Sequence, residues 1–432
     1  STISRLWQLL PEGKGDTGTA LTLLGGSMAA LGLWKWLGRK RIQRKMEEAR
    51  RTREEGMKKM AKAVQQFREQ VNHPPWDAIL SLPLLELSGR LQEGSLSPRT
   101  VLYTYLEKAL EVTQQTNCLR HFIPECEEQL REIERRTEKG LLYGIPVSIK
   151  DHIGHKGHLA TCGLMQCLDT VMEEDSVLVK VLKKQGAIPF AMTNVPQSLF
   201  SYECSNPIFG QTLNPLNPQR SPGGSSGGEG ALIAGGGSIL GMGSDVGGSI
   251  LTGPVNGILA VPCALGPMAR DVDSLALCMK ALLCQEMFQL DPSVPPIPFN
   301  EEVYSSSAPL RVGYYDTDGY FPLPPCMRRA VKETRSALQA AGHQVSTTTP
   351  CPDPQGVPSL APRNIVDPGL KAQVNSCKMP RLVKKLLALL LKPLVSACPS
   401  GQEQGLPGVT LVTAAQCHVP KEPRAFPVPP PG

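Results

Sequence analysis

Between Ser221 and Ile250 the chain reads SPGGSSGGEGALIAGGGSILGMGSDVGGSI, placing two glycine-wrapped serine sites, at Ser225 and Ser249, 24 residues apart. Lys150 ends the run GIPVSIK, 75 residues before Ser225. A serine hydroxyl attacks a carbonyl only if a base takes its proton and backbone N–H groups receive the charge that develops on the substrate oxygen. Glycine meets the second need: DVGG ahead of Ser249 carries little side chain, so successive N–H groups can aim at one point. GGSSGG allows the same close approach around Ser225 and Ser226. A lysine meets the first need when it is neutral, a form that burial among apolar groups favours. These residue types at this spacing point to acyl transfer by a serine.

Other readings of the same stretch are weaker. A Gly/Ser linker would not thread ALIA, ILGM and DV through its glycines. A phosphate cradle would need GxxxxGK[ST] or GxGxxG, and neither occurs. A purely structural turn explains either serine alone and leaves the repetition and the lysine coincidental. DHIGHKGH spaces His152, His155 and His158 three apart near Cys162 and Cys167, but Gly154 and Gly157 make this a loop, and no metal site is expected.

The elements that must carry these residues are legible as an alternation. LLYGIPVSIK is a short apolar run with β-branched residues, a buried strand delivering Lys150 to a sheet edge. Asp175 is expected to cap the helix VLVKVLKKQ, Gly186 to end it, and AIPFAMTN to follow as a buried strand. RDVDSLALCMKALLC reads as a helix, LRVGYY as a strand, MRRAVKETRSALQAAG as a helix and HQVST as a strand. Such order implies an α/β fold, a mixed, mostly parallel sheet flanked by helices. Upstream, LSLPLLELSGRLQEGSLSPRTVLYTYLEKALEVTQQ suggests two amphipathic helices covering one face.

Charge is unevenly placed. The net +6 arises from residues 35–68, which hold 13 Lys and Arg against 4 Asp and Glu, so the rest of the chain is slightly acidic and no nucleic-acid partner is expected. This basic segment follows TGTALTLLGGSMAALGLW, eighteen uncharged residues with Trp34 and Trp36 at one end. That is near the lower limit for crossing a bilayer, and basic residues following the apolar run oppose a signal peptide. The expectation is a single-pass transmembrane helix with its basic flank, and hence the body, on the cytosolic side; a buried or interfacial helix is the alternative. Residues 42–71 read as a charged helix lying against the body or the lipid headgroups, with Met46, Met57, Met60, Val64 and Phe67 as its apolar positions. The 13 cysteines are odd in number, scattered and never spaced CxxC, as suits reduced thiols.

GIPVSIKD, TNVPQSLFSYECSNPIFGQTLNP and the serine stretch together resemble the amidase signature family, and within it the members that hydrolyse fatty acid amides. The resemblance runs with interruptions from Trp76 to Leu394. It implies Ser249 as acyl-forming nucleophile, Ser225 as a bridging cis-serine and Lys150 as terminal base and acid. It further implies an oxyanion hole from the N–H groups of Val246, Gly247, Gly248 and Ser249, and substrate contact at Leu199. No cofactor is implied; the implied partners are a lipid amide substrate such as an N-acylethanolamine, an endoplasmic reticulum or Golgi membrane, and a second copy in a homodimer.

The pattern is broken after Ile250, where the family continues with an Arg-x-Pro stretch and this chain passes directly to LTGPVNGILAVPCALGPMARD. It fades again near Thr348 and stops after Leu394. KMPRLVKKLLALLLKPLV, residues 378–395, reads as an apolar helix with basic ends, either an interfacial membrane contact or a buried core helix. Proline-rich PKEPRAFPVPPPG is expected to be disordered. The expected organisation is a membrane anchor over 1–38, a basic juxtamembrane helix over 39–75, a catalytic domain over 76–348, and a partial membrane-cap segment with tail over 349–432. The alternative is a catalytically impaired, membrane-anchored homologue.

Overall fold

The frame of the molecule is a five-stranded mixed sheet. The computed structural model describes residues 17–71, 75–245, 264–316 and 324–347. Helix α1 (Thr17–Gln70) leads into α2 (Trp76–Ser81), α3 (Leu84–Glu93) and α4 (Pro98–Thr116). The sheet strands are β1 (Leu119–Phe122), β2 (Pro146–Lys150), β3 (Ile188–Thr193), β6 (Leu240–Asp245) and β7 (Ala264–Ala269), with α5 (Cys126–Glu134), α6 (Val177–Lys184) and α7 (Gly227–Ala234) between them. A small hairpin, β4 (Ser205–Asn206) with β5 (Gly210–Gln211), precedes α7.

Spatial order in the sheet is β1-β3-β2-β6-β7. The central strands β3, β2 and β6 run parallel, whereas both edges, β1 on β3 and β7 on β6, are antiparallel. The expected mostly parallel sheet is therefore half so: parallel strands occupy the centre, where helices connect them, and the edge strands pair antiparallel. β2 and β3 have no exposed residue, as strands covered on both faces must. The helix before β3 is capped by Ser176, which accepts from Val179 N at 3.4 Å, and not by Asp175. Asp175 instead accepts from Lys156 N and pairs with Lys183. Gly186 sits at φ +83° against the Tyr143 backbone, where a side chain would be strained and crowded.

Beyond the sheet, α8 (Val272–Leu282) is capped by Asp271, which accepts from Ser274 N at 2.7 Å. After α9 (Gln285–Leu290) and α10 (Glu301–Ser305) come β8 (Arg311–Tyr314), α11 (Pro325–Ala340) and β9 (Gln344–Thr347). β8 and β9 pair in parallel as a separate two-stranded sheet with largely exposed residues. The strand-helix-strand order read from the sequence is present there, detached from the main sheet.

The N-terminal segment departs from expectation. Residues 17–34 and the basic segment form one continuous 54-residue helix, α1, and among the described residues no helix is long and apolar enough to cross a membrane. The transmembrane reading is thus unconfirmed; Thr17, Gly18, Thr19, Gly25, Gly26 and Ser27 dilute the apolar run. The C-terminal half of α1 lies against the body. Met60, Val64 and Phe67 are buried, spaced to share one helix face, and Phe67 stacks on Tyr103 of α4 with centroids 4.3 Å apart. Each such side chain contributes roughly 1.5–3 kcal/mol of burial, enough to hold this half of α1 down. Residues 378–395 and the proline-rich tail lie outside the described residues.

Candidate active site

Lys150 ends β2 and is fully buried. Its ammonium group donates to Ser225 Oγ at 2.7 Å, to Ser244 Oγ at 2.9 Å and to the Ser244 carbonyl at 3.1 Å. Strand, loop and neighbouring strand each have a reason to meet here. β2 is flanked by β3 and β6 in register, with Lys150 opposite Thr193, so its last side chain emerges at the carboxyl edge of the sheet beside the end of β6. Ser225 lies in the glycine loop that enters α7, and the Gly224–Ser225 peptide bond is cis. Gly224 packs against the carbonyls of Ser201 and Glu203, and Gly228 against the backbone of Asn194, approaches that no side chain permits.

Ser226 ties the same loop to β6, donating to the Ser244 carbonyl at 3.1 Å and accepting from Ser244 N at 3.2 Å. The loop and β6 are thereby fixed to each other independently of Lys150. Behind the lysine, Asp151 is wholly buried and meets Arg120 of β1 in an ion pair at 2.5 Å that is not aligned as a hydrogen bond. The other Asp151 oxygen accepts from Thr161 Oγ1 at 2.5 Å.

Glu229, on the first turn of α7, is also wholly buried; burial pushes its carboxyl up to about 8, against the pull of Ser148, Thr193 and Lys150. His152, which follows Asp151, has both ring nitrogens buried without a hydrogen-bond partner, and burial followed by the Lys150 charge takes it down to about 3. The rings of His155 and His158 are 5.0 Å apart, as are those of His121 and His158, and His158 Nε2 meets Glu125 at 2.8 Å.

Of the residues expected from the sequence, the structure brings Lys150 and Ser225 into contact. Leu199 is half-buried in the turn Gln197–Leu199 at φ +60°. Val246, Gly247, Gly248 and Ser249 lie outside the described residues, immediately after β6. Sequence reasoning missed Ser244, whose carbonyl contact any residue type would supply. It missed Glu229 too, although a signal was present: Glu229 is the one charged residue between Arg220 and Asp245.

Chemically, the arrangement offers a buried amine hydrogen-bonded to a serine hydroxyl at the end of a sheet, a pairing that can pass a proton.

The Amidase family model matches residues 100–254 and 252–388, two segments that meet just past Ile250. The chain is 52% identical over 432 aligned residues to vitamin D3 hydroxylase-associated protein of Gallus gallus, covering 91% of this chain and 93% of that one. It is 46% identical over 406 residues to fatty-acid amide hydrolase 1 of Sus scrofa, covering 85% of this chain and 69% of that protein. Among solved structures, a fatty acid amide hydrolase superposes with TM-score 0.62 at 27% identity, over 72% of this chain and 63% of that one. The fold and these likenesses agree, and the chain belongs to the amidase signature family of amide hydrolases.

Proposed function

We propose that the chain hydrolyses lipid amides, fatty acid amides or N-acylethanolamines, through an acyl-enzyme on Ser249. The observation that carries the reading is the 2.7 Å contact between Lys150 Nζ and Ser225 Oγ in a buried site. Neutral Lys150 takes the Ser225 hydroxyl proton as Ser225 takes that of Ser249, and Ser249 Oγ bonds to the amide carbon. The backbone N–H groups of Val246, Gly247, Gly248 and Ser249 receive the oxyanion. When the C–N bond breaks, the proton held by Lys150 returns through Ser225 to the departing amine. Water, deprotonated by the same relay, then releases the fatty acid. The lipid character of the substrate is supported by the likeness to fatty-acid amide hydrolase 1 and by exposed Phe200 and Tyr202 beside Leu199.

A fluorophosphonate probe tests the reading: phosphonylation at Ser249 of the folded chain, blocked by a long-chain fatty acid amide, is the expected result. A folded chain that takes no adduct at Ser249 is instead the impaired homologue.

Membrane contact belongs to the same reading. Leu33, Trp34, Trp36 and Leu37 are exposed on α1 next to Arg39, Lys40, Arg41 and Arg44, and Lys40 Nζ lies 4.0 Å over the Trp36 ring. Amphipathic rings beside cations suit an anionic headgroup layer, here on the cytosolic side of an endomembrane. The chain is expected to sediment with phosphatidylserine vesicles, and Trp34→Ser/Trp36→Ser to reduce the bound fraction several-fold. Equal sedimentation of the two proteins would remove these residues from the contact.

A further inference from the structure

Three strands of the sheet are cut to admit the Glu229 side chain. Ser148 on β2 donates its hydroxyl to Oε2 at 2.6 Å, and Thr193 on β3 donates to Oε1 at 2.9 Å. Gly241 on β6 supplies the space, since a Cβ there would collide with Oε2. These positions are registered on the lysine. Thr193 is opposite Lys150 in the β2–β3 ladder and Ser148 is opposite Gly241 in the β2–β6 ladder. Ser148 precedes Lys150 by two residues, so both side chains leave β2 on one face, the face that receives Glu229. The carboxyl group therefore lies beside the catalytic lysine along the strand, separated from the reacting atoms.

The titratable groups that face it are few. Lys150 acts on it from β2. The Cys118 thiol, just ahead of β1, is held up to about 11 by burial, with a smaller contribution from Glu229. On α4, Lys108 comes near Gly236, past the far end of α7, and there bonds to Glu111. A buried carboxyl group with two hydroxyl donors and one nearby cation has a direct electrostatic consequence. When Lys150 takes the Ser225 proton, a positive charge appears inside the protein, and an ionised Glu229 stabilises it while a protonated one does not.

We propose that Glu229 is a positioning residue of the amidase reaction, the buried carboxyl group whose ionisation sets how readily Lys150 gives up its proton. The proposal rests on Lys150 acting as the base of the relay. Glu229 itself transfers nothing: the proton that Lys150 carries comes from Ser225 and returns there.

Glu229→Gln keeps the size of the group, and its amide can donate to Ser148 Oγ, which can turn its own proton toward Ser238 Oγ, 3.0 Å away. The rate of fluorophosphonate labelling of the full chain is followed against pH. With no carboxyl group left to ionise beside it, Lys150 gains no negative neighbour as pH rises and becomes neutral more easily, so the half-maximum of the curve moves to lower pH by on the order of one unit. Coincident curves, or a move to higher pH, would overturn the proposal.

A merely structural Glu229 predicts something else. Its carboxyl sits above the ordinary range when folded, so the folded chain binds the extra proton and stability falls as pH rises toward about 8. Substitution would then change alkaline stability and leave the labelling curve in place. Should Glu229→Gln fail to fold, the infrared carboxylic C=O band of the unsubstituted chain is titrated beside that of Lys150→Met. Loss of the lysine charge should raise the pH at which the band disappears, and an unmoved band would overturn the coupling. If Lys150→Met instead labels at the full rate, the relay reading itself fails, whatever Glu229 does.

Discussion

Lys150→Ala should lower the rate of Ser249 phosphonylation and of amide hydrolysis by about 10³-fold or more at neutral pH, with the fold retained. The size follows from what is removed. Ser225 loses the amine 2.7 Å from its hydroxyl, so it has no acceptor for the proton it must take from Ser249. Ser244 does not replace it, since a carbonyl and a hydroxyl are both far weaker bases than an amine. The fold should survive because truncation strands no charge: Ser225, Ser226 and Ser244 are neutral, Glu229 holds its proton more firmly once the lysine charge is gone, and Ser226 still joins the loop to β6. The lost hydrogen bonds are each worth about 1 kcal/mol net, a minor part of stability. Stopped-flow hydrolysis and timed fluorophosphonate labelling measure the effect. A loss of less than about tenfold would show that another group serves as base, and His152, buried beside Lys150 with both ring nitrogens unpartnered, would be the first to test. Ser225→Ala separates relay from base, since it leaves the amine in place and breaks the path to it.

What the sequence disclosed depended on whether the signal was local. Lys150 was legible as the end of a buried strand because β-branched Ile145, Val147 and Ile149 recur at every second position, and all three are buried. Ser225 was legible because glycines crowd it. Ser244 was not, since its carbonyl and hydroxyl reach Lys150 only through the alignment of β2 with β6. The separate β8–β9 sheet has the same cause: strand propensity is local, and strand pairing is decided by distant residues. At the N-terminus, apolar content suggested a boundary between anchor and juxtamembrane helix near residue 38, but nothing at Trp36–Ile42 breaks a helix, and α1 continues through it. The cap of α6 was misplaced by one residue because Asp175 and Ser176 are both good capping types, and Lys183 together with Lys156 N claims the aspartate.

Arg120→Met should cost about 3–5 kcal/mol, the largest stability loss expected from a polar substitution in the described chain. Two opposing effects decide this. Taking Arg120 and Asp151 out of water is expensive, so the intact pair adds little net stability over an apolar pair of equal size. Removing one partner is different, because the Asp151 carboxyl group is then left without its cation in a site with no exposure, with Thr161 as its hydroxyl donor. Arg120 also donates to the Leu159 carbonyl and touches Met192 Sδ at 2.9 Å, so its loss frees the segment that follows β2. Urea unfolding measures the cost as a lower midpoint at unchanged slope. Arg120→Met combined with Asp151→Leu should recover most of it, since the stranded carboxyl group is gone; a double variant as unstable as the single one would place the cost in packing around β1 instead. The recovered protein is then informative about chemistry. Asp151 follows Lys150 directly and its N–H bonds to the Thr193 carbonyl at 3.3 Å, so the pair fixes the turn that ends β2. If fixing that turn aims Lys150 at Ser225, the double variant will be stable and still label slowly, separating the stability of the sheet edge from the alignment of the relay it carries.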